Sequence, residues 1–257
     1  MTAYQPKARR VAWMGAPACA LLTLPFVTLI NETSWGDLHL AYGDWQAVLT
    51  SLGLTAFSMV LTVGLGLPLA FWLARTASPL RAWVQGLVLI ALLTPPLAMG
   101  ILLVSTFGPY TTVGEMLTHI GVSLSNNAGA FVLAQLYGGL AYFVLSATSA
   151  FTGVPGALEE AARSLGCTPW EAFYRVTLPT ARRALATGLA IAWGRVIGEF
   201  GIVMVFAYFP QGIPVKLFVN LQNDGVDAVY ALVWLLLLVT LPFPLWCLAK
   251  FANKARS

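Results

Sequence analysis

The sequence predicts an all-α integral membrane protein, and its hydropathy, its charge content and the length of its apolar runs carry that prediction. Of the 257 residues, 58% are hydrophobic and only 9% are charged, whereas a soluble domain carries about 25% charged residues. The mean hydropathy is +0.78. Because so few charged side chains cannot cover a surface that faces water on all sides, we expect membrane lipid to surround most of the chain.

Six apolar stretches are long enough to cross a bilayer core of about 30 Å, which takes about 20 helical residues. Helices are expected because the runs are continuous and because lipid offers no partners to unpaired backbone groups. The predicted spans are 11–30, 50–74, 83–107, 130–151, 184–209 and 229–249. The basic residues before the first run also suit a signal peptide, but the length of that run favours a retained anchor.

The distribution of basic residues predicts the orientation in the membrane. Twelve Lys and Arg residues lie at the two chain ends or in the segments after the second and fourth spans, whereas Lys216 alone lies on the opposite side. Under the positive-inside rule, both termini are therefore predicted to be cytoplasmic. The predicted units are a cytoplasmic N-terminus with the first span and an external loop (1–49), a transmembrane core (50–250) with a cytoplasmic loop (152–182), and a cytoplasmic tail (251–257).

The sequence lacks the motifs that mark metal, catalytic and phosphate-binding sites. The three cysteines are far apart and form no Cys-x-x-Cys pair, and the two histidines are isolated, so no metal or catalytic site is expected. The sequence contains no Gly-x-x-x-x-Gly-Lys-Ser/Thr phosphate loop. We therefore expect no cofactor on this chain, no enzymatic activity and no nucleic-acid partner. An ion-coupled secondary transporter remains the alternative from another class, although it predicts several ionisable midplane residues and inverted repeats.

The segment between the fourth and fifth spans predicts two short helices. Strong helix formers follow Pro155-Gly156, with Glu159 and Glu160 in the first turn, where the helix dipole favours anions. Gly166 suits the C-terminal cap of this helix.

The second short helix is predicted to begin at Thr168. Pro169 suits the first helical position, and Glu171 completes a capping box with Thr168. Pro179 is predicted to end this helix before the fifth span.

The same segment resembles the EAA loop of ABC-importer permeases in the spacing of Glu160-Ala161-Ala162, Gly166, Val176 and Leu178-Pro179. The one departure is Val176, where isoleucine is commonest. The resemblance implies a cytoplasmic helix–turn–helix that docks on a separate ATPase subunit, which binds ATP and Mg, and transmits its closure to the membrane helices. The residues expected to serve this coupling are Glu159, Glu160, Ala161, Ala162, Leu165, Gly166, Phe173, Val176, Leu178 and Pro179.

The resemblance also implies the assembly. It implies an importer-type core of spans two to six, a first span that packs around a partner, and a homodimer with the path on its two-fold axis. A periplasmic or lipid-anchored binding protein is expected to deliver the substrate to a multi-pass protein of the cell (inner) membrane.

Arg195 and Glu199 are two oppositely charged residues inside the fifth span. They are four residues apart and are therefore expected on one helical face. A charge at the bilayer centre costs at least about 2.5–3.5 kcal/mol on insertion scales, so such residues normally face protein or an aqueous path. Two interpretations stay open: a structural ion pair, or an arginine that steers or gates an anion.

Residues 194–201 also resemble the fifth span of molybdate, tungstate and sulfate permeases. This implies a small oxyanion such as molybdate or tungstate as substrate, with sulfate, thiosulfate or another small solute as alternatives. Residues 208–220 depart from the Asn-Ile-Pro-Gly-x-Thr stretch usual in molybdate permeases.

The third span is interrupted by Pro95-Pro96, which follow Thr94. A proline removes a backbone donor and clashes with the preceding turn, so a kink is predicted here. Thr94, Pro95 and Pro96 are candidates for the edge of a translocation path, and a simple bend is the alternative.

Overall fold

The computed structural model describes the backbone of residues 8–252 and the side chains of residues 15–247, 249 and 250. The outermost parts of the predicted cytoplasmic N-terminus and tail, residues 1–7 and 253–257, lie outside the described residues. Within residues 8–252 the regular structure is entirely helical. Five helices there are long and apolar enough to cross a membrane, or six if one sharply bent pair counts as a span.

The helices follow one another with short connections. They are α1 (Ala8–Glu32), α2 (Asp44–Arg75), α3 (Leu80–Leu93), α4 (Pro96–Phe107), α5 (Thr112–His119), α6 (Ala128–Thr152), α7 (Gly156–Ser164), α8 (Pro169–Ala172), α9 (Leu178–Ile197), α10 (Gly201–Phe206), α11 (Ile213–Asp224), α12 (Tyr230–Thr240) and α13 (Pro242–Ala252). A π-helical turn, Phe173–Thr177, joins α8 to α9, and a 3₁₀ turn, Asp227–Val229, precedes α12. The segments 108–129 and 210–228, which the predicted orientation makes external, thus contain α5 and α11.

Helix α6 lies at the centre of the molecule and packs against α2, α9 and α10. Glycines allow some of these helices to approach closely. A Cβ on Gly139 would lie 2.3 Å from Val196 of α9, and one on Gly66 would lie 2.7 Å from the ring of Phe143. Without a hydrophobic force between helices in lipid, small residues that allow close backbone approach favour such packing.

The predicted third span, 83–107, is two helices rather than one kinked helix. Helices α3 and α4 meet at an angle of 111°. Thr94 and Pro95 are both extended, with ψ of 123° and 139°, and Pro96 occupies the first turn of α4. A residue before proline is pushed towards extended backbone, and two consecutive prolines impose this twice, so the chain turns sharply instead of bending.

Pro179 does not end the second short helix, contrary to the prediction. The chain is helical without interruption from Pro169 to Ile197. In the π turn before Pro179, the Leu178 N–H bonds the Phe173 carbonyl, five residues earlier. A π turn widens the helix locally, and we attribute to it the accommodation of a proline that lacks its own N–H.

The fifth span begins earlier than predicted and is broken inside the apolar region. Helix α9 ends at Ile197, and the chain leaves helical geometry until α10 begins at Gly201. Glu199 therefore lies in the break, not on the helical face that carries Arg195. The two side chains nevertheless form an ion pair.

Helix α1 is mostly exposed, although Phe26 and Leu29 line a shallow pocket together with Val233 of α12. None of its described apolar window, Gly15–Glu32, is buried within the molecule. Its far end is attached through the Trp234 indole N–H, which donates to Thr33 Oγ1 at 3.0 Å, and the Trp35 and Trp234 rings lie 5.5 Å apart.

Candidate functional site

The loop between α6 and α9 is a compact helical turn centred on Gly166. Helix α7 ends at Ser164, and Gly166 follows with a φ of +92°, in the left-handed region. The Gly166 N–H bonds the Arg163 carbonyl at 3.0 Å, and the Cys167 N–H bonds the Ala162 carbonyl at 3.1 Å. Glycine takes this conformation without a side-chain clash, so its predicted place at the helix cap is confirmed.

The start of α8 carries the predicted capping box. Thr168 Oγ1 accepts from the Glu171 N–H at 3.2 Å, and the Thr168 N–H donates to Glu171 Oε2 at 2.9 Å. Because both otherwise unpaired donors are satisfied, α8 begins directly after the glycine turn.

An arginine that the sequence analysis did not single out fastens this loop to the membrane core. Arg75, the last residue of α2, bonds both carboxylate oxygens of Glu159 through Nε, at 3.0 and 3.2 Å, and Oε1 again through Nη2 at 2.5 Å. Its Nη2 also donates to the Val154 carbonyl at 3.1 Å, and Thr177 donates its hydroxyl to Glu159 Oε1 at 2.7 Å. Arg75 and Glu159 thus join α2, the end of α6, α7 and the π turn.

The charge of Glu159 is stabilised in this arrangement. Partial burial acts to raise the pKa of its carboxyl group, but the hydrogen bonds from Arg75 and Thr177 outweigh that effect and lower it. A carboxyl whose folded pKa is lowered contributes stability above its unfolded pKa and loses that contribution as the pH falls through the folded value. The attachment of the loop is therefore complete at neutral pH and weakens only in acid.

Arg75→Gln is expected to loosen the loop. Glu159 would keep Thr177 as a partner but lose a bidentate, charge-assisted contact, which at this partly exposed site is worth about 1–2 kcal/mol. That free energy corresponds to about 5- to 30-fold faster amide exchange in residues 156–178, which hydrogen exchange of the purified chain measures.

Arg175→Gln is the matched control for this measurement. Arg175 is exposed in the same loop, and its Nη2 lies 3.6 Å from Glu171 Oε1, so its loss is expected to change exchange very little. Equal exchange in the two variants would contradict the role of Arg75.

The residues predicted to couple to an ATPase divide into exposed and buried sets. Leu165 is 87% exposed and Phe173 is 8% exposed. The remaining exposed members are Glu160, Ala161, Gly166 and Pro179, those half-buried are Glu159, Val176 and Leu178, and Ala162 is buried.

Phe173, one of the residues expected to serve coupling, is buried within its own chain. Its ring packs against those of Phe71, Phe151 and Trp170, at centroid distances of 4.8, 6.0 and 5.6 Å. Such aromatic contacts fix the π turn against α2 and α6. Trp170, exposed beside it, presents apolar surface instead.

Arg195 and Glu199, two of the residues predicted for a translocation path, lie at the break in the fifth span. Arg195 Nη1 contacts Glu199 Oε2, and the Ile202 N–H donates to Glu199 Oε1 at 2.9 Å. Glu199 is 2% exposed. Its carboxylate therefore accepts a hydrogen bond from the first turn of α10 and balances the charge of Arg195. In this way Glu199 contacts the helices on both sides of the break.

Gln135 of α6 is a functional candidate that the sequence analysis missed. Its Nε2 donates to Thr55 Oγ1 at 2.8 Å and to the Val196 carbonyl at 3.2 Å, and its Oε1 accepts from Ser58 Oγ at 3.0 Å. The side chain is 1% exposed. It links α2 to the last turn of α9 across the core. A strongly polar residue inside an apolar span was the available signal.

The break between α3 and α4 and the break in the fifth span face the same narrow pocket. Its lining includes Thr94, Pro96, Tyr137, Tyr142 and Arg195. Three of the five residues predicted for a path, Thr94, Pro96 and Arg195, are thus brought together. Pro95 is exposed and Glu199 is buried, and neither lines the pocket.

This architecture, with a helical loop fastened to broken membrane spans, is that of a transporter permease. The chain belongs to the family of binding-protein-dependent transport system inner membrane components, whose model matches residues 66–247. The match runs from the last third of α2 into α13.

Two relatives and one solved structure show what the chain is similar to. It is 36% identical over 184 residues to a probable molybdenum ABC transporter permease protein of Haloferax volcanii, covering 72% of this chain and 67% of that protein. It is 33% identical over 237 residues to the molybdenum transport system permease protein ModB of Mycobacterium tuberculosis, covering 88% and 89%. A chain of a bacterial alginate ABC transporter, solved with a periplasmic protein that binds an alginate pentasaccharide, has the same fold with a TM-score of 0.75, 19% identity and coverage of 98% and 97%.

Proposed function

We propose that this chain is the membrane-spanning subunit of an ABC importer for molybdate or a similar oxyanion. The observation that carries the proposal is the similarity to a molybdenum permease over nearly nine-tenths of both chains. The resemblance of residues 194–201 to oxyanion permeases supports the same substrate class. A cationic side chain in the apolar region, Arg195, suits the passage of an anion.

Coupling to ATP is assigned to the loop around Gly166. In this proposal both termini and the loop 152–182 are cytoplasmic, because the basic residues cluster on that side. A separate ATPase subunit, which carries ATP and Mg, contacts the exposed residues Glu160, Leu165 and Gly166. The chain itself is non-catalytic and transmits ATPase closure into α9 through the continuous helix from Pro169 to Ile197.

The translocation path is assigned to the pocket where the two breaks meet, with Arg195, Thr94 and Pro96 on its wall. The proposed assembly is a homodimer with the core at 50–250 and the first span at 1–49. The unburied apolar face of α1 supports its packing outside its own chain. A binding protein would deliver the oxyanion to the external segments, which include α5 and α11.

The test is the elemental content of cells that lack this chain, compared with complemented cells at limiting molybdate, tungstate and sulfate. A selective fall in cellular molybdenum or tungsten of about tenfold or more is expected, because a dianion does not cross the apolar core unaided. Mass spectrometry of washed cells measures it.

Short-term uptake of radiolabelled molybdate in the same strains separates this importer from slower parallel routes. Unchanged uptake of molybdate and tungstate, with a fall in sulfate instead, would contradict the assignment to molybdate or tungstate. The assignment to the permease family would be unaffected.

A further inference from the structure

The two members of the ion pair in the fifth span are held very differently. The Glu199 side chain is fully buried, whereas that of Arg195 is 26% exposed. Glu199 is fixed by the Ile202 N–H and by close packing on Gly138, where an added Cβ would lie 3.0 Å from its Oε2. Glu199 therefore has little freedom to move, while the guanidinium group of Arg195 reaches into the pocket.

The backbone around the break is held as firmly as Glu199. Gln135 bonds the Val196 carbonyl in the last turn of α9, and Glu199 bonds the first turn of α10. A buried hydrogen-bonded network of this kind fixes the geometry of the groups attached to it. Arg195 is attached through a long flexible stem, so its head group can change partners without rearranging either helix.

The pocket admits only about 10 Å³ as it stands, so an anion enters once it widens, and there it meets the guanidinium group that Glu199 now holds. The guanidinium lies 5.5 Å from the centre of the Tyr142 ring, and Thr94 and Tyr137 line the same space. Arginine has five donors in a planar fork that suits tetrahedral oxyanions. Arg195 Nη1 contacts Glu199 Oε2 as an ion pair, and because the guanidinium group has five donors, the pair leaves donors for a second partner.

We propose that Arg195 determines the preference for oxyanions by exchanging partners, bonding Glu199 in the empty transporter and the oxyanion in transit. Glu199 is the fixed competitor that takes the guanidinium back and so releases the anion. An arginine without this competitor would retain a dianion instead of passing it on. The inference rests on the proposed function and adds a specificity-determining residue and its counter-ion.

The test uses two variants of the full-length chain in lipid nanodiscs, with equilibrium dialysis against radiolabelled molybdate. Glu199→Gln removes the competing charge but keeps the oxygen that accepts from the Ile202 N–H. The double variant Arg195→Gln/Glu199→Gln removes both charges. Glu199→Gln is expected to bind molybdate about tenfold or more tightly than the wild-type chain, and the double variant is expected to bind none.

Uptake by cells supplies a second readout. Both variants are expected to lower the maximal rate of molybdate uptake by about tenfold or more, the first because release is slow and the second because binding is lost. If the pair is only structural, the neutral double variant is expected to transport normally, since replacing a buried ion pair by neutral groups is often harmless. Transport by the double variant at half the wild-type rate or more would overturn the inference.

Controls separate folding from recognition. Lys250→Gln removes a cation that lies over the Trp246 ring, away from the pocket, and is expected to leave binding and uptake unchanged. Arg195→Lys keeps the ion pair but loses the planar fork, and is expected to slow uptake about three- to tenfold. Should the double variant not accumulate in the membrane, wild-type uptake by Arg195→Lys would itself overturn the inference.

Uptake by the wild-type chain distinguishes a wrong substrate class from a wrong role of the ion pair. A wild-type chain that supports no molybdate or tungstate uptake refutes the substrate class. Wild-type uptake that is indifferent to the charges of Arg195 and Glu199 refutes the exchange alone.

Discussion

Gly166→Asp is expected to separate this chain from its ATPase and to lower transport by at least about tenfold. Gly166 has a φ of +92°, which costs a residue with a side chain about 1–2 kcal/mol. The site is exposed, and an added Cβ would meet no atom within 4 Å. The substitution therefore leaves the membrane core intact and changes the turn and its charge. Co-purification of the ATPase with the tagged chain measures the result.

Two glycine variants identify the cause of that loss. Gly166→Ala adds the backbone cost without the charge, and an intermediate reduction is expected. Gly156→Ala, at the first residue of α7, also meets no atom within 4 Å and has no positive φ, so normal co-purification is expected. Normal transport by Gly166→Asp would contradict the assignment of coupling to this loop.

Gln135→Leu is expected to give the largest loss of stability among single substitutions at the polar core. The leucine side chain has nearly the same size but leaves Thr55 Oγ1 without its donor and takes one donor from the Val196 carbonyl. It also removes one of the two acceptors of Ser58, which keeps the Leu54 carbonyl. Leaving buried polar groups unpaired costs about 1–3 kcal/mol, although such bonds in membrane proteins are often weaker. A fall in melting temperature of about 4–8 °C is expected for about 2 kcal/mol.

Thermal unfolding of the detergent-solubilised chain, followed by size-exclusion chromatography, measures this effect. Thr152→Ala is the control, because its hydroxyl bonds only the carbonyl of Thr148 in its own helix among the described contacts. Equal melting temperatures for Gln135→Leu and Thr152→Ala would show that the network does not hold the break in the fifth span.

Local signals in the sequence predicted the parts of the structure that depend on a few neighbouring residues. The left-handed cap at Gly166 and the capping box at Thr168 follow from residue types at fixed short spacings. The long apolar stretches likewise predicted the positions of the membrane helices, because the bilayer sets their length.

Contacts between distant residues could not be predicted in this way. Arg75 and Glu159 are 84 positions apart, and no local sequence pattern around either residue indicates the other as its partner. The prolines after Thr94 predicted a kink, but the size of the 111° turn also involves the packing of α3 on α6 and of α4 on α10, which are distant in sequence. Pro179 was wrongly predicted to stop a helix because a π turn, whose stability comes from packing of Phe173, has no simple sequence signature.

The uninterrupted helix from Pro169 to Ile197 has a mechanical consequence. Its 29 residues make a rod of about 43 Å at 1.5 Å per residue, with Trp170 at one end and Arg195 at the other. Tilting such a rod by about 5° about its loop end displaces the far end by about 4 Å, roughly the reach of one polar contact. A small tilt imposed at the loop end is thus enough, by leverage alone, to change the width of the pocket that Arg195 and Thr94 line.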